Sequence, residues 1–484
     1  MRLALVVLLV SGWAAAAERE PLDLTACVRR ALAANPQVQD ALDTSASAHL
    51  GRRVALSEYN LKIVPTVNGG VQGANETDQN YDVLFSRKFL PTGTQVALSG
   101  GTRVLQTVPQ RAIPHFTETR VTVTQPVLQG RSRLENREHI DDADRRIAAS
   151  EHAITVTRED LALRVVERYY DVVRAIRLHE VGGQSLARVR TLAETARGKL
   201  SLGAVSKMDV YRAELHGTRL ENTLVDQTAR RDAALDQLKT LLGIDPRVEL
   251  AIDPRVQGPA VADLAGTSAI DDALARRTEV VEAGEQVRDT ERKLMLARYR
   301  LWPAFDLVGF YGRQGTGNNF GDSFVLDRPI WNIGVRSTVP LDRTVEEAAV
   351  GEAEIALRRE ERQYRLARDR IVAEVREALR LLDRTKAEVT LTRQIADQAE
   401  QQAELARFRY EKGVTDNFDL VQAEEQRAEA DAGSAIALID EAVAAATVRR
   451  ASGTLAEAFG VGSPPKPAEP ALPAEPREDC GAPR

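Results

Sequence analysis

The sequence predicts a mainly α-helical protein with a β part, in which long antiparallel helices pack as coiled coils and about four strands form the β part. Three observations support this fold class. Two long stretches nearly lack proline, two windows show apolar and polar residues in alternation, and each feature occurs once in each half of an internal repeat. The segment order therefore predicts two copies of one unit that places strands between helices.

The helical stretches are residues 127–247, whose only proline is Pro246, and residues 341–463, which contain none. Both are rich in Ala, Leu, Glu and Arg, which favour helices. Apolar residues recur there at spacings of three and four, which is typical of helices that pack side by side. Two such series are Ala162, Val165, Tyr169, Val172 and Ile176, and Val372, Val375, Leu379, Leu382 and Val389.

The windows with alternating residues are 65–126 and 303–340. In the first, Val121 and Val123 fall on one face of a strand and Arg120 on the other, and this period of two predicts strands with one apolar face. Of the 22 aromatic residues, 13 lie in or beside these windows. Aromatic enrichment near strand ends is typical of a membrane β-barrel, and the alternative is a small β-domain with aromatic packing.

The internal repeat consists of four matches that occur in the same order in both halves. The matching segments are residues 31–38 with 273–280, Tyr59 and Pro65 with Tyr299 and Pro303, 125–128 with 339–341, and 196–214 with 406–424. We expect a signal peptide at 1–17, repeat 1 at 18–242, an equatorial linker at 243–272, repeat 2 at 273–461 and a disordered tail at 462–484.

Each repeat is expected to contain a helix, a β segment, a long helix, a tip and a second helix. In repeat 1 these elements are expected at 37–62, 65–126, 132–198, 199–206 and 207–242. In repeat 2 they are expected at 273–300, 303–340, 344–411, 412–416 and 417–459. The long helix of repeat 1 would measure roughly 100 Å, close to the summed length of the two shorter helices, so these could stack beside it.

The first residues predict export. Arg2 precedes the apolar run 3–10, and the small residues 14–17 provide a cleavage site, which together are typical of a secretory signal peptide. The remainder contains no apolar stretch of about 18 residues. An exported chain of this kind can enter a membrane only as a closed barrel. Because four strands are too few to close one, we expect several chains to pool their strands in a symmetric ring.

Composition argues against other classes of protein. The net charge is −6 and Lys and Arg do not cluster, so nucleic acid is not an expected partner. The six His residues are scattered without a metal-binding motif, so we expect no catalytic residue, metal or cofactor, and no enzyme. The two cysteines, Cys27 and Cys480, are either unrelated thiols or a disulfide between the two ends.

In this order, the segments resemble the TolC family of outer-membrane efflux proteins. The resemblance is carried by residues 31–36, 125–128 and 339–341, the Gly203 tip and the Tyr410–Gly413–Asp419 tip. It implies a homotrimer in outer-membrane lipid, with a twelve-stranded shared transmembrane β-barrel and an α-barrel of the long helices that extends into the periplasm. It also implies docking to a periplasmic adaptor, or membrane fusion protein, of an inner-membrane pump.

The resemblance places a pore constriction at Asp416, Asp419 and Gln422. Asp419 matches an acidic position of the family, Gln422 replaces the acidic residue one turn later, and Asp416 lies one turn earlier. Three-fold symmetry would turn each Asp into a ring of three carboxylates that attracts cations. The alternative is that these Asp residues only stabilise the start of a helix.

Two further sets of residues are implied. Gating contacts are expected from Tyr410 to Asp209, with Thr415 in place of a basic partner for which Lys412 or Lys207 could substitute. The turns that meet the adaptor are expected at the two tips, where glycine could equally be a plain helix terminator. The tip residues are Gly203, Ala204, Val205, Gly413 and Val414.

The function expected from the resemblance is the exit duct of a tripartite efflux pump, and a type I protein secretion duct is the alternative within the family. A soluble periplasmic coiled-coil scaffold or adaptor is the alternative from another class, and it does not explain the amphipathic strands. Residues 84–104 are expected to form an additional hairpin, as an extracellular extension rather than as added barrel strands.

Overall fold

A computed structural model of the chain describes residues 21–72, 76–107, 115–203, 205–256, 258–259 and 267–461. The expected signal peptide, the expected tail, Cys480 and Ala204 lie outside the described residues. The described residues divide into two units. Unit 1 comprises those of 1–41, 153–280 and 368–465, and unit 2 comprises those of 42–152 and 281–367.

Eleven helices occur in the described ranges. They are α1 (Leu24–Ala34), α2 (Pro36–Ser57), α3 (Arg133–Asn136), α4 (Glu138–Ser201), α5 (Lys207–Leu241), α6 (Thr267–Arg276), α7 (Thr278–Tyr299), α8 (Phe320–Ser323), α9 (Thr344–Glu411), α10 (Asn417–Ala451) and α11 (Leu455–Ala458). None of these helices is both long enough and apolar enough to span a membrane.

Three expected helices differ from the structure for local reasons. The helix expected at 37–62 ends at Ser57, and it is preceded by α1 because Asn35, which comes before a proline, is extended. The helix expected at 273–300 is divided into α6 and α7 at Arg277. The helix expected at 417–459 ends at Ala451, where Gly453 has a φ of 71° and provides the usual glycine terminus.

The apolar series of the long helices form the core of unit 1. Ala162, Val165, Tyr169 and Val172 of α4 are buried, as are Val375 and Leu382 of α9. A charged network also ties elements from the two halves of the sequence together. Its ion pairs are Arg277–Glu279 at 2.6 Å, Arg277–Glu374 at 3.1 Å, Arg450–Asp160 at 2.6 Å, and Arg450–Glu374.

Unit 2 contains one antiparallel sheet in which each strand pairs with its neighbours in chain order. The strands are β1 (Lys62–Gln72), β2 (Glu76–Lys88), β3 (Gln95–Thr107), β4 (His115–Pro126), β5 (Ala304–Gly317) and β6 (Arg328–Thr338). The mainly helical fold class with antiparallel strands is confirmed. The expected number of about four strands is wrong, because the sheet has six.

The two additional strands are those of the hairpin expected at 84–104. It is not an extension, because β2 pairs with β1 and β3 pairs with β4 along their lengths. The β2–β3 turn is also fixed in place, since the Gln125 side-chain amide donates to the Thr92 carbonyl at 3.3 Å. Gly93 has a φ of 69°, and a Cβ there would lie 2.1 Å from the Gly130 carbonyl oxygen, so only glycine fits.

The register places apolar residues on one face of the sheet across all six strands. A single row of paired positions contains Ile63, Phe85, Leu98, Val121, Tyr311 and Trp331. Positions an odd number of residues away fall on the opposite face, where the row through Asp82 and Glu118 is polar. The same face also holds a smaller apolar group, formed by Val64, Leu84 and Ile330. The sheet is therefore mainly apolar on one face and mainly polar on the other, and β2 and β3 contribute to both faces like the other strands.

Candidate pore constriction and helix tips

Two turns in unit 1 join long helices, α4 to α5 and α9 to α10, and both end the first helix with a glycine. Gly203 has a φ of 72° and Gly413 a φ of 73°. The Gly203 N–H donates to Leu200 O at 2.9 Å, and the Gly413 N–H donates to Tyr410 O at 3.1 Å. Since a Cβ would meet nothing within 4 Å at either position, the backbone conformation alone requires glycine.

The tips expose apolar side chains. Val414 is 72% exposed, and Leu202, Met208, Tyr211 and Phe418 are also exposed. Val205 is half-buried. Exposed apolar residues that cluster on two neighbouring turns are characteristic of a protein-interaction surface.

Helix α5 starts with a capping box. Ser206 Oγ accepts the Asp209 N–H at 3.3 Å, and Asp209 Oδ2 accepts the Ser206 N–H at 3.0 Å and its hydroxyl at 2.8 Å. In this arrangement, side-chain oxygens accept hydrogen bonds from backbone N–H groups that have no partner within the helix. The Asp209 carboxylate is therefore held within its own tip.

The second tip contacts the first through the start of α10. Asn417 is buried, and its side-chain amide donates to the Asp209 carbonyl at 2.8 Å. Asp416 caps α10 by accepting the Phe418 N–H at 3.0 Å. The guanidinium of Arg212 lies 3.8 Å from the Asp416 carboxylate and 3.9 Å from that of Asp209, so it bridges the two tips.

The expected constriction residues lie together on the surface of α10. Asp416, Asp419 and Gln422 follow each other at intervals of three, which puts neighbours on one side of the helix. All three are exposed in the single chain. Asp419 in the first turn and Asp416 at the cap also lie where the helix dipole favours negative charge.

Tyr410 is 3% exposed and packs against Leu192, Ala193, Ala213 and Leu420. Its hydroxyl has no hydrogen-bond partner among the described residues. Burial, together with the nearby charge of Asp209, raises the pKa of the Tyr410 phenol.

The expected hydrogen bond between Tyr410 and Asp209 is thus not formed. The bond is absent because the Asp209 carboxylate already accepts two hydrogen bonds from Ser206 in the capping box. The Thr415 hydroxyl is likewise buried without a partner in the part of the chain that the structure describes. The expected gating residues are therefore close together, but they are not linked through these side chains.

A lysine that sequence reasoning missed contacts Tyr410 instead. The Lys199 ammonium donates to the Tyr410 carbonyl at 2.8 Å and lies 4.0 Å from the centre of its ring. Lys412, expected as a substitute partner, lies over the Phe408 ring at 5.4 Å. Lys199 precedes the first tip and Tyr410 the second, so this cation–π contact also joins the two tips.

Glu424 is a second residue that sequence reasoning missed. Its side chain is 4% exposed and accepts from Arg188 at 2.7 Å and from Arg407 at 2.8 Å, which ties α4, α9 and α10 together. A signal was present in the repeat, because Arg407 and Glu424 match Arg197 and Glu214, which also form an ion pair at 2.7 Å. A cavity of about 390 Å³ lies beside Glu424 and Tyr410.

The fold of the described chain is shared with solved outer-membrane channels. VceC from Vibrio cholerae is 16% identical, with 89% of this chain and 96% of that chain aligned and a TM-score of 0.67. CmeC from Campylobacter jejuni is 15% identical over 89% and 86% of the chains, with a TM-score of 0.68. The open state of MtrE from Neisseria gonorrhoeae is 17% identical over 89% of each, with a TM-score of 0.65. These similarities define the fold as that of outer-membrane channels.

Sequence comparison finds a family match in the second half of the chain. Residues 269–454 match the family described as outer membrane efflux protein. The chain is also 27% identical over 183 residues to the fusaric acid resistance protein FusA of Burkholderia cepacia, and it spans about a third of the length of that relative.

Proposed function

We propose that three copies of this chain form the exit duct of a tripartite efflux pump, which passes substrates from an inner-membrane pump across the periplasm and the outer membrane. The observation that carries the proposal is the combination of a sheet with one apolar and one polar face and long paired helices that end in two exposed tips. The apolar face suits lipid, and the open edges of the sheet require partner strands.

The tips are the proposed docking site for a periplasmic adaptor. Gly203, Val205, Gly413 and Val414 form the turns there, and the exposed apolar side chains around them offer contact area. The match to FusA, whose name refers to fusaric acid resistance, favours efflux of such compounds over secretion of proteins.

Asp416 and Asp419 are the proposed pore constriction. In a three-fold ring, each would be repeated three times around the axis, and Gln422 would add an uncharged ring one turn further on. The gating contacts proposed around Tyr410, Asp209 and Thr415 would then act through Lys199 and Arg212, which join the two tips in the chain described here.

The first test is the native mass of the protein extracted from outer membranes with mild detergent. A mass of three chains supports the shared duct, and single-channel recordings on the same sample in lipid bilayers then measure its conductance. A monomer that is recovered from the periplasm without detergent would contradict the proposal and favour a soluble scaffold.

A further inference from the structure

We infer, on the basis of the proposed function, that three copies of this chain close a ring of eighteen strands and not of twelve. Each chain contributes a continuous sheet of six strands, so three chains supply eighteen. The pore through the membrane is then wider than one built from four strands per chain, because the diameter of a closed sheet grows roughly linearly with the number of strands.

The first argument is that β2 and β3 are built into the sheet. They have 13 residues each, as many as or more than every other strand except β5, and both are paired on both sides. Their turn is anchored at the end of the sheet from which the neighbouring helices start. There the Lys88 ammonium lies 2.8 Å from the Glu58 carboxylate at the end of α2, and Gly93 packs against Gly130.

The second argument is that β2 and β3 carry the same apolar face as the other strands. Phe85 and Leu98 fill the two hairpin positions of the row that continues through Val121 and Tyr311. A hairpin that projected into water beyond the membrane would have no reason to continue this row. The paired positions on the other face, Ser86 and Ala97, lack large apolar side chains.

The third argument concerns the edges. The outer edges of β1 and β6 carry N–H and C=O groups that pair with no described strand, and both strands have 11 residues. Because the number of strands is even, β6 of one chain and β1 of the next run antiparallel. The apolar row reaches both edges, with Ile63 57% exposed and Trp331 70% exposed. A second copy of the chain therefore fits each edge and continues both the pairing and the apolar face.

The strand number can be counted directly by electron cryomicroscopy of the full chain, extracted from outer membranes and placed in lipid nanodiscs. Eighteen strands around one ring are expected. A three-chain ring of twelve strands, with β2 and β3 outside the wall, would overturn this inference and leave the proposed duct intact. Failure to form any ring would contradict the proposed function itself.

A deletion of residues 76–107 removes β2 and β3 together and keeps β1 and β4 antiparallel. The expected three-chain ring has twelve strands, and the size of the largest polyethylene glycol that enters the pore from the sheet side should fall by about a third. An unchanged size limit in an assembled variant would overturn the inference.

Two point variants keep the test decisive if the deletion variant does not assemble. Leu98→Lys places a charge on the apolar face of β3, and its control Ala97→Lys places the same charge on the polar face. Leu98→Lys is expected to remove most of the trimer from the outer-membrane fraction, and Ala97→Lys to leave it near the wild-type level. Equal tolerance of both variants would show that β3 is not in the membrane wall and would overturn the inference.

Discussion

Glu424 illustrates how one ion pair differs between two environments. The matched pair in the first repeat, Arg197–Glu214, is solvated, whereas Glu424 is almost fully buried between Arg188 and Arg407. An exposed pair contributes little to stability, but the loss of a buried carboxylate leaves its arginines without a counter-charge. The repeat therefore preserves the residues of the ion pair but not the contribution of that pair to stability.

We predict that Glu424→Gln lowers the free energy of unfolding by about 2 kcal/mol, less than for a fully buried pair because Arg407 is half exposed. Glu214→Gln should change it by less than about 1 kcal/mol. The thermal unfolding midpoint of the detergent-solubilised protein measures both, with the exposed neighbour Glu425→Gln as the control. Equal shifts for Glu424→Gln and Glu425→Gln would contradict this account of Glu424.

Asp419 is the residue on which the proposed constriction depends most. Asp419→Asn removes one ring of three carboxylates, and we expect weaker block by added divalent cations or a higher resting conductance in single-channel recordings. Asp226→Asn makes the same change at an exposed position of α5 and should leave both properties unchanged. If Asp419→Asn behaves like this control, the constriction lies elsewhere.

At the tips, the sequence predicted which residues are close together but not which side chains form hydrogen bonds or ion pairs. The resemblance brought Tyr410 and Asp209 to attention, and the two are indeed close. It could not indicate that Ser206, three positions before Asp209, would engage the carboxylate, although this spacing is itself a signal for a capping box. Lys199 and Arg188 gave no signal, because a charged residue on a long polar helix is usually solvated.

At the level of elements, the alternation of apolar and polar residues predicted where the strands lie, but it did not predict which strands pair with each other. Val121 and Val123 fall on the apolar face as expected, since the period of two depends only on local geometry. The pairing of two strands depends on contacts along their whole length, and the sequence of the hairpin alone did not reveal that β2 pairs with β1 and β3 with β4. The expected extension was therefore wrong even though its strands were recognised.

The two tips offer a prediction about backbone conformation. Gly413→Ala should destabilise the second tip by about 1 kcal/mol, because alanine resists a positive φ even where space is free. Gly198→Ala, in the exposed interior of α4, also meets nothing within 4 Å and should instead stabilise by up to about 1 kcal/mol. Unfolding midpoints that shift in the same direction for both variants would contradict this explanation.

At the level of the whole molecule, the two halves of the sequence are joined in unit 1. Glu159 of α4 accepts the N–H groups of Leu455 at 3.1 Å and Ala456 at 3.2 Å, so a helix of the first half holds the last helix of the second. Burial raises the pKa of the Glu159 carboxyl, an effect that outweighs the two backbone hydrogen bonds.

This contact predicts a pH dependence. Above about pH 4.3 the unfolded chain releases the proton at this position while the folded chain still binds it, so stability falls as the pH rises through the range up to the folded pKa. Glu159→Gln should remove this part of the slope in unfolding midpoints measured between about pH 4 and 7. The exposed variant Glu194→Gln should retain it, and identical slopes for wild type and Glu159→Gln would refute the assignment.

If the proposed duct is correct, the hairpin of β2 and β3 also bears on how such a channel could evolve. The chain enters the sheet after α2 and leaves it before α3 at the same end, so the insertion of a single strand would deliver every following helix to the wrong side of the membrane. Only insertions that return the chain to its starting side preserve the periplasmic part. Pore width in this architecture would therefore change through the duplication or loss of whole hairpins. Each such event changes the number of strands by two per chain, and three-fold symmetry multiplies that change by three.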